Sequence, residues 1–357
     1  MAGVRSPKIS KSLMRYHPRI GYTYMPSTKL RVQGANGGYL VRTNAAGFRS
    51  EREFVRERSP GTFRTLLFGD SQTAGDGTGN ASRFSDLLEK SVPGLEVYNY
   101  ALSGTGTDQQ YLTYGEVGPV EHDLVVIGLF VENIRRLTPR VLRTRDITGE
   151  DVYRAKPYYE LVQDGLALRN VPVPKQPWTL ETLPAELLPH VYSYGNEYSF
   201  FRDPNQKHAS LLRRLAPAGL RAMATSLMAR LRTFQPLPEY NSARAPEWQL
   251  LREILAMWVS ESSVPVLLVA LPHDSGLRGK SDPRNYQARF RELAKDTGCQ
   301  VYDPLPELLE LSDADRHELW SYTYGHLSVQ GHAAIARLLA PVLHRIMAGR
   351  LDTAHRA

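Results

Sequence analysis

Five short apolar runs, separated by segments with helical periodicity, constrain the fold of this chain most strongly. The runs are TFRTLLFGD, LEVYNYALSG, HDLVVIGLFV, VPVLLVALP and CQVYDP, and each is bounded by Gly, Pro, Asp or Asn. The helical segments are RFSDLLEKS, TDQQYLTYGEV, PEWQLLREILAMWVSES, RNYQARFRELAKDTG and SVQGHAAIARLLAPVLHRIMAG. Strands that are apolar throughout, rather than at alternate positions, are typical of a parallel sheet with helices on both faces. The pattern therefore predicts an α/β fold.

Two segments do not follow this alternation and predict additions to a core formed by residues 61–137 and 246–350. Residues 1–60 contain GGYLVRTNAAGFRSEREF, whose glycines and alternating residues predict a hairpin-rich N-terminal extension. That extension is either a covering flap or a plain extension of the sheet. Residues 138–245 predict an insertion of strands and turns, followed by a basic amphipathic helix. The apolar residues of that helix recur three or four positions apart and are Leu220, Met223, Leu227, Leu231 and Phe234.

Composition is that of an ordinary globular protein, with 357 residues, 42% of them hydrophobic and 23% charged. The single cysteine, Cys299, excludes an internal disulfide and cannot form a thiolate metal cluster alone, which favours a reducing compartment. The basic N-terminus lacks the apolar core of a secretory signal, and no run approaches the roughly 18 apolar residues of a membrane span. We therefore expect a cytoplasmic protein without a membrane span.

The positive charge of the chain raises the question of nucleic-acid binding. The formal net charge is +7, and a basic face attracts polyanions without sequence preference. However, the sequence has no zinc-finger spacing, no RNP-like aromatic motif and no long Lys/Arg block. We therefore expect no nucleic-acid partner.

Polar or small residues follow the ends of the first three predicted strands. Ser71 follows the first run in LLFGDSQTAG, Gly104 the second in NYALSGTGTDQQ, and Asn133 the third in GLFVENI. Ligands of open parallel sheets bind at the carboxyl ends of the strands, where we expect an exposed Ser71 hydroxyl on a turn. A serine nucleophile with backbone N–H groups, a glycine and an amide nearby is what an oxyanion hole requires. Thr73 replaces the second glycine of a Gly-x-Ser-x-Gly elbow, and no Lys-Ser or Lys-Thr pair follows as in a phosphate-binding loop.

A histidine near the C-terminus completes the residues needed for acyl transfer. The sequence YGHLSVQGHAAIA places His326 in a loop just before the last predicted helix, with Ser328 as a candidate helix cap. One serine, one loop histidine and several hydrogen-bond donors at one sheet edge suffice for acyl transfer.

Other polar residues near the strand ends are interpreted mainly as structural. His332 lies within the last helix, and Asp70 and Asp108 are expected to hold turns through side-chain bonds to the backbone. His273, in LPHD after the fourth strand, lies at the functional edge and is a candidate for substrate contact.

These blocks resemble the SGNH hydrolase superfamily, also called GDSL hydrolases. The resemblance rests on FGDSQTAG, NYALSGTGTDQQ, VENI and GHLSVQGH, in the order that the family shows. It implies that Ser71 is the nucleophile, that Gly104, Asn133 and the Ser71 N–H form the oxyanion hole, and that His326 is the general base. It further implies a flavodoxin-like three-layer α/β/α sandwich and hydrolysis or transfer of an ester-linked acyl group without a cofactor.

Two departures from the family pattern affect the predicted site. The asparagine block usually reads Asn-Asp, whereas this chain has Glu132 and Asn133, so the alignment could shift by one residue. We keep Asn133, because an ionised glutamate cannot donate a hydrogen bond and would repel an oxyanion. The family also has an aspartate two or three residues before the histidine, where this chain has Tyr324 and Thr323.

The missing aspartate leaves the orientation of His326 open. We expect a Ser71–His326 dyad, with a backbone carbonyl or the Thr323 hydroxyl holding the imidazole. The candidates for a third triad member are Asp303 in CQVYDP, Glu318 in RHELWSYTYGH, and Asp274 after the fourth strand. Asp303 and Glu318 also have structural interpretations, as a turn cap and a solvated helix residue.

Three functions are compatible with these residues. The first is a serine esterase that removes an acyl group, with acetyl favoured, from a carbohydrate or small metabolite. The second is an acyltransferase on the same residues, and the third is a binding protein that has kept the pocket without catalysis. The first two differ only in acceptor binding and water exclusion, which the sequence does not distinguish. The oligomeric state is not predicted.

Overall fold

The computed structural model of the chain describes residues 13–32, 38–145, 150–163, 165–193, 235–322 and 325–354. In these residues the strands are β1 (Met14–His17), β2 (Gly21–Tyr24), β3 (Lys29–Val32), β4 (Tyr39–Arg42), β5 (Phe63–Gly69), β6 (Leu95–Asn99), β7 (Leu124–Phe130), β8 (Val141–Arg145), β9 (Asp151–Ala155), β10 (Tyr158–Val162), β11 (Gly165–Arg169), β12 (Val191–Ser193), β13 (Val266–Leu271), β14 (Gln300–Tyr302), β15 (Trp320–Ser321) and β16 (His326–Leu327). The α-helices are α1 (Ser71–Ala74), α2 (Phe84–Ser91), α3 (Thr107–Glu116), α4 (Pro246–Glu261), α5 (Asp274–Leu277), α6 (Arg284–Thr297), α7 (Leu305–Leu309), α8 (Asp313–Glu318) and α9 (Val329–Ala354).

The central sheet has five parallel strands in the order β14-β13-β7-β5-β6. The order of the strands along the chain is therefore 2-1-3-4-5, that of the flavodoxin-like doubly wound fold. The predicted α/β class and flavodoxin-like architecture are confirmed, because all five apolar runs are strands of this sheet. Strands β5, β7 and β13 are buried at every position, which explains why their sequences are apolar throughout rather than alternating.

Helices cover the sheet in two layers. Helix α9 packs against α2, and helix α4 packs against α3 and α6. The five predicted helical segments are α2, α3, α4, α6 and α9, which confirms those predictions to within a few residues at each end. Loops and short turns follow the carboxyl ends of β5, β6, β7 and β13. These loops and turns carry the residues singled out in the sequence.

The N-terminal segment forms two hairpins, β1–β2 and β3–β4. In the described residues each is a separate two-stranded sheet that does not pair with the central sheet, so the hairpins do not extend it. Instead the N-terminal segment contacts loops at the carboxyl edge of the sheet: Tyr22 of β2 binds Ser103, and Arg49, in the loop that follows β4, binds Gly75.

Between β7 and β13 the chain forms further strands. Strands β12, β8 and β9 make a three-stranded sheet, and β10 pairs with β11. A small cluster of Val141, Tyr153 and Leu183 is buried beneath them. The predicted strands and turns are thus present, whereas the predicted basic helix, Leu220 to Phe234, lies outside the described residues.

Candidate functional site

Ser71 is the first residue of the four-residue helix α1, directly after β5. Asp70 caps this helix: its Oδ1 accepts a hydrogen bond from the Gln72 N–H at 2.9 Å. Ser71 is only 5% exposed, and its hydroxyl forms no hydrogen bond with another described residue. The strand-to-turn placement agrees with the sequence prediction, but the serine is more buried than the exposed turn that we expected.

Two glycines allow α1 to pack directly on the ends of β5 and β7. A Cβ atom at Gly69 or at Gly128 would lie 2.3 Å from Thr73 Oγ1, so no larger residue fits at either position. The Thr73 hydroxyl lies 3.3 Å from the Gly128 carbonyl oxygen, to which it donates. Thr73, which departs from the nucleophile-elbow pattern, is therefore the residue that seats this helix on the sheet.

Gly104 lies in the loop that joins β6 to α3. Its φ of +78° falls in the left-handed region, which favours glycine. The same loop is bonded to the end of β5, because the Leu102 N–H donates to the Gly69 carbonyl at 3.1 Å. The structure thus brings the glycine block beside the strand that carries Ser71.

Asn133 lies in the 3-10 turn Val131–Arg136 that follows β7. Its side chain is fully buried, and neither Nδ2 nor Oδ1 has a hydrogen-bond partner among the described residues. An unpaired buried amide costs about 1–3 kcal/mol, so a hydrogen-bond acceptor brought by a bound molecule would stabilise it. Glu132, by contrast, lies with its Oε2 3.4 Å from His273 Nε2. This geometry favours Asn133 over Glu132 as the donor.

Buried charges lie near the site, and sequence reasoning missed the two cations among them, Arg136 and Lys156. Arg136 Nη1 contacts Asp70 Oδ2 at 3.2 Å, and Lys156 Nζ contacts Asp108 Oδ2 at 2.5 Å and the Arg136 carbonyl oxygen at 2.6 Å. All four side chains are at most 5% exposed. Burial is the largest influence on the second pair: it raises the pKa of Asp108 and lowers the pKa of Lys156, and each charge opposes the shift of the other. Lys156, the residue after β9, is thereby linked through Arg136 to Asp70 and so to the turn that carries Ser71.

His326 lies in the two-residue strand β16, paired with Ser321 of β15. The side chain of Gln72, the residue after Ser71, binds the backbone on both sides of it. Gln72 Oε1 accepts from the Leu327 N–H at 2.9 Å, and Gln72 Nε2 donates to the Gly325 carbonyl oxygen at 3.4 Å. The predicted cap is also present, because the Ser328 hydroxyl accepts from the Gly331 N–H. The structure therefore brings the strand of His326 against the helix of Ser71.

The three candidate third members lie around this region without binding His326. Asp303 accepts hydrogen bonds from Tyr286, Gln287 and the Leu305 N–H. Asp274 accepts from Arg278 and from Tyr322, which lies on the loop before β16. Glu318 is exposed at the end of α8. Among the described contacts, none of these carboxylates has a hydrogen bond or ion pair with His326, and Thr323 and Tyr324 lie outside the described residues.

The other two histidines near the site differ in their surroundings. His273 Nδ1 accepts from the Ser275 N–H at 3.1 Å, which assigns the proton to Nε2, the nitrogen that faces Glu132. His332 is fully buried in α9, and its Nδ1 accepts from the Phe84 N–H. Burial, together with Arg49 and Arg83, lowers the pKa of His332 to about 3. His332 is thus a neutral packing residue, as interpreted from the sequence.

Arg49 is another residue that sequence reasoning missed. It is 1% exposed and donates to the carbonyl oxygens of Gly75 and Thr78 in the loop after α1. The turn before it is built by Asn44 Oδ1, which accepts from the Phe48 N–H, and by Gly47, whose φ is +83°. The segment TNAAGFR is the only signal in the sequence, and it indicates the turn rather than the contact of the arginine.

Comparison with known proteins identifies the family of the chain. The model of the GDSL-like lipase/acylhydrolase family matches residues 67–334, which is more than half of the chain. No curated protein matches the sequence.

Several solved structures share the fold at low similarity. A lipolytic protein of the G-D-S-L family from Veillonella parvula is 12% identical, with a TM-score of 0.41, covering 80% of this chain and 100% of that one. The esterase EstA from Pseudoalteromonas is 10% identical (TM-score 0.35; 82% and 99% covered), and the acetylxylan esterase Axe2 from Geobacillus stearothermophilus is 16% identical (TM-score 0.37; 80% and 95%). No conclusion about a substrate follows from likenesses this distant. In the described part of the chain, none of the helices is both long and apolar enough to cross a membrane.

Proposed function

The chain belongs to the GDSL-like lipase/acylhydrolase family, and we propose that it is a serine esterase that removes an acyl group, acetyl above all, from a carbohydrate or small-metabolite ester. The observation that carries this proposal is the pair of hydrogen bonds from Gln72 to the backbone on both sides of His326. These bonds join the element of the nucleophile to the element of the base, over 250 residues apart in sequence. A serine with a histidine held nearby is the minimum for acyl transfer.

In the first half of the reaction, Ser71 Oγ attacks the ester carbonyl carbon while His326 takes the hydroxyl proton. The tetrahedral intermediate then collapses, its bond to the alcohol oxygen breaks, and His326 returns the proton to the leaving alcohol. The acyl group is left on Ser71. In the second half, water attacks this acyl-enzyme, His326 takes a proton from the water, and the carboxylic acid leaves as Ser71 regains its proton.

The negative charge that forms on the carbonyl oxygen requires donors that are already in place. We assign this role to the N–H groups of Ser71 and Gly104 and to the side-chain amide of Asn133. The unpaired state of the buried Asn133 amide supports the assignment, because an oxyanion would supply the acceptor that it lacks. Donors fixed in this way need no reorganisation during the reaction.

The base is proposed to work as a dyad with Ser71. Asp303 and Asp274 each have other hydrogen-bond partners, and Glu318 lies on the surface, so we propose none of these three carboxylates as a third triad member. Since a carboxylate stabilises the imidazolium that forms during attack, we expect slow turnover of unactivated esters unless the natural substrate supplies further binding energy.

A second candidate function is acyl transfer to a sugar or metabolite hydroxyl. The 5% exposure of Ser71 favours it, because a transferase must keep water from the acyl-enzyme. All residue roles would be unchanged, with the acceptor hydroxyl in the place of water.

The test is hydrolysis of p-nitrophenyl acetate, followed with and without acetylated and free sugars. Turnover without an acceptor, abolished in Ser71→Ala, is the result expected for the esterase. Turnover that requires an acceptor would mean that the protein is an acyltransferase and not an esterase. Absence of both activities in the folded protein would contradict catalysis and leave the binding protein.

A further inference from the structure

Hairpin β1–β2 binds the loop that carries Gly104. Side chains two residues apart on a strand point to the same face, so Tyr22 and Tyr24 of β2 face one way. Both hydroxyls reach Ser103, the residue before Gly104. The hairpin lies outside residues 67–334, the part of the chain that matches the family model.

The contact of Tyr22 has a direct consequence for Gly104. The Tyr22 hydroxyl donates to the Ser103 carbonyl oxygen at 2.9 Å. That carbonyl and the Gly104 N–H belong to the same peptide group, which is planar and trans, so the two bonds point in opposite directions. Fixing the direction of the carbonyl therefore fixes the direction of the N–H. A glycine at positive φ offers little steric resistance to rotation of this peptide, so the bond from Tyr22 adds a restraint on its direction.

Ser103 is held at its other polar groups as well. The Tyr24 hydroxyl lies 2.5 Å from Ser103 Oγ and accepts from the Ser103 N–H at 3.1 Å. The Ser103 hydroxyl in turn donates to Asp76 Oδ1 at 2.7 Å, which assigns the Tyr24 proton to the bond with Ser103 Oγ. Tyr24 is 1% exposed, and burial raises its pKa to about 12, so it remains a donor at neutral pH.

The hairpin is also bonded to the chain beyond Gly104. Gln109 Nε2 donates to the Ile20 carbonyl oxygen at 2.8 Å, and Gln109 Oε1 accepts from the Gly106 N–H at 3.3 Å. Gly104 thus lies between two segments that the hairpin holds, Ser103 before it and Gly106 after it.

We propose that Tyr22 is a positioning residue that directs the Gly104 N–H into the oxyanion hole by holding the Ser103 carbonyl. This inference rests on the proposed function, since it assigns a task to an oxyanion donor of the esterase. It adds a residue from outside the family region to the machinery of the reaction, acting through Gly104 rather than touching the substrate.

The test compares Tyr22→Phe with Tyr16→Phe. Tyr16 is the cross-strand partner of Tyr22, and its hydroxyl also donates to a backbone carbonyl oxygen, that of Val173 at 2.7 Å. Each variant loses a hydroxyl of the same hairpin that donates to a backbone carbonyl oxygen. We expect Tyr22→Phe to lower kcat by about 10- to 100-fold with KM nearly unchanged, a part of the roughly 10²–10³ that losing a whole donor costs. Tyr16→Phe should retain the wild-type kcat.

A second readout is the ratio of rates on an oxoester and on the matching thionoester. Sulfur is a weak acceptor and gains little from an oxyanion hole, so wild type should prefer the oxoester and Tyr22→Phe should show a smaller ratio. The ratio does not depend on how much enzyme is folded, because misfolding lowers both rates equally. An unchanged ratio and equal kcat values in the two variants, in a wild-type enzyme whose activity requires Ser71, would overturn the role of Tyr22. A failure of the proposed function itself would give a different result: the wild type would be inactive, or its activity would be unchanged in Ser71→Ala.

Discussion

The two halves of the candidate site are held in very different ways. Around Ser71, the proposed nucleophile, buried bonds hold the backbone and the neighbouring charges, as in the contact of Arg136 with the Asp70 cap. The Ser71 hydroxyl and the fully buried Asn133 amide themselves have no hydrogen-bond partner among the described residues. His326 lies on a two-residue strand whose described anchors include the side chain of Gln72, and the three candidate carboxylates do not bind it. The difference teaches that the buried ion pairs of this site lie beside the proposed nucleophile, whereas the described bonds at the proposed base hold the backbone around His326.

Replacing the nucleophile should have the largest effect. Ser71→Ala is expected to lower kcat for an activated ester by about 10⁴ or more, because no covalent intermediate can then form. The fold should survive, since a hydroxyl without a partner in the described residues is removed. Initial rates and the unfolding midpoint of both proteins check this. Activity equal to wild type would remove Ser71 from the mechanism.

Removing one oxyanion donor should have the next largest effect. Asn133→Ala is expected to lower kcat by roughly 10²–10³ with little change in KM, the usual loss for one such donor. Glu132→Gln tests the alternative alignment and should be much milder, since Glu132 faces His273. A change confined to KM in Asn133→Ala would mean that this residue only positions substrate. A larger loss in Glu132→Gln would exchange the two roles.

Loosening the backbone that carries His326 should have an intermediate effect. Gln72→Ala removes both bonds to the backbone around His326 and is expected to lower kcat by about 10- to 100-fold, because a base displaced by about 1 Å loses its alignment. Gln287→Ala is the matched control, since it removes a glutamine that binds Asp303 instead. Steady-state kinetics that find both variants alike would contradict the role of Gln72 in placing His326.

The smallest effects are expected from the candidate carboxylates. Asp274→Asn, Asp303→Asn and Glu318→Gln should each keep activity within about tenfold of wild type if Ser71 and His326 act as a dyad. A true triad carboxylate would cost on the order of 10⁴ in kcat. A loss of about 10³ or more in just one folded variant would therefore end the dyad and identify the third member.

The strands and the placement of the predicted site residues followed from the sequence, because both depend on local patterns. Continuous apolar runs predicted β5 and β7, and the rule that strand ends meet at one edge brought Ser71, Gly104 and Asn133 together. The burial of Ser71 did not follow, because it depends on tertiary packing, of which the close approach of Thr73 to glycines of two different strands is a part. The sequence on either side of a residue does not show whether elements distant along the chain bury it.

The supporting residues could not be predicted for a related reason. Lys156 stands in RAKPYY like any surface lysine, and only the fold of β8 and β9 carries it to Asp108 and Arg136. Tyr22 likewise has no motif, because its partner is a backbone carbonyl 81 positions away. Contacts of this kind join segments whose relative position is set by tertiary structure, and a single sequence holds no spacing that links them.

The most direct test of the account is to identify the residue that a fluorophosphonate modifies, by mass spectrometry of peptides from the labelled protein. The account predicts a single adduct on Ser71, absent from Ser71→Ala and formed more slowly in Asn133→Ala, because the phosphonyl oxygen uses the same donors as the oxyanion. An adduct on a different serine, or esterase activity in a protein whose Ser71 stays unmodified, would contradict Ser71 as the nucleophile.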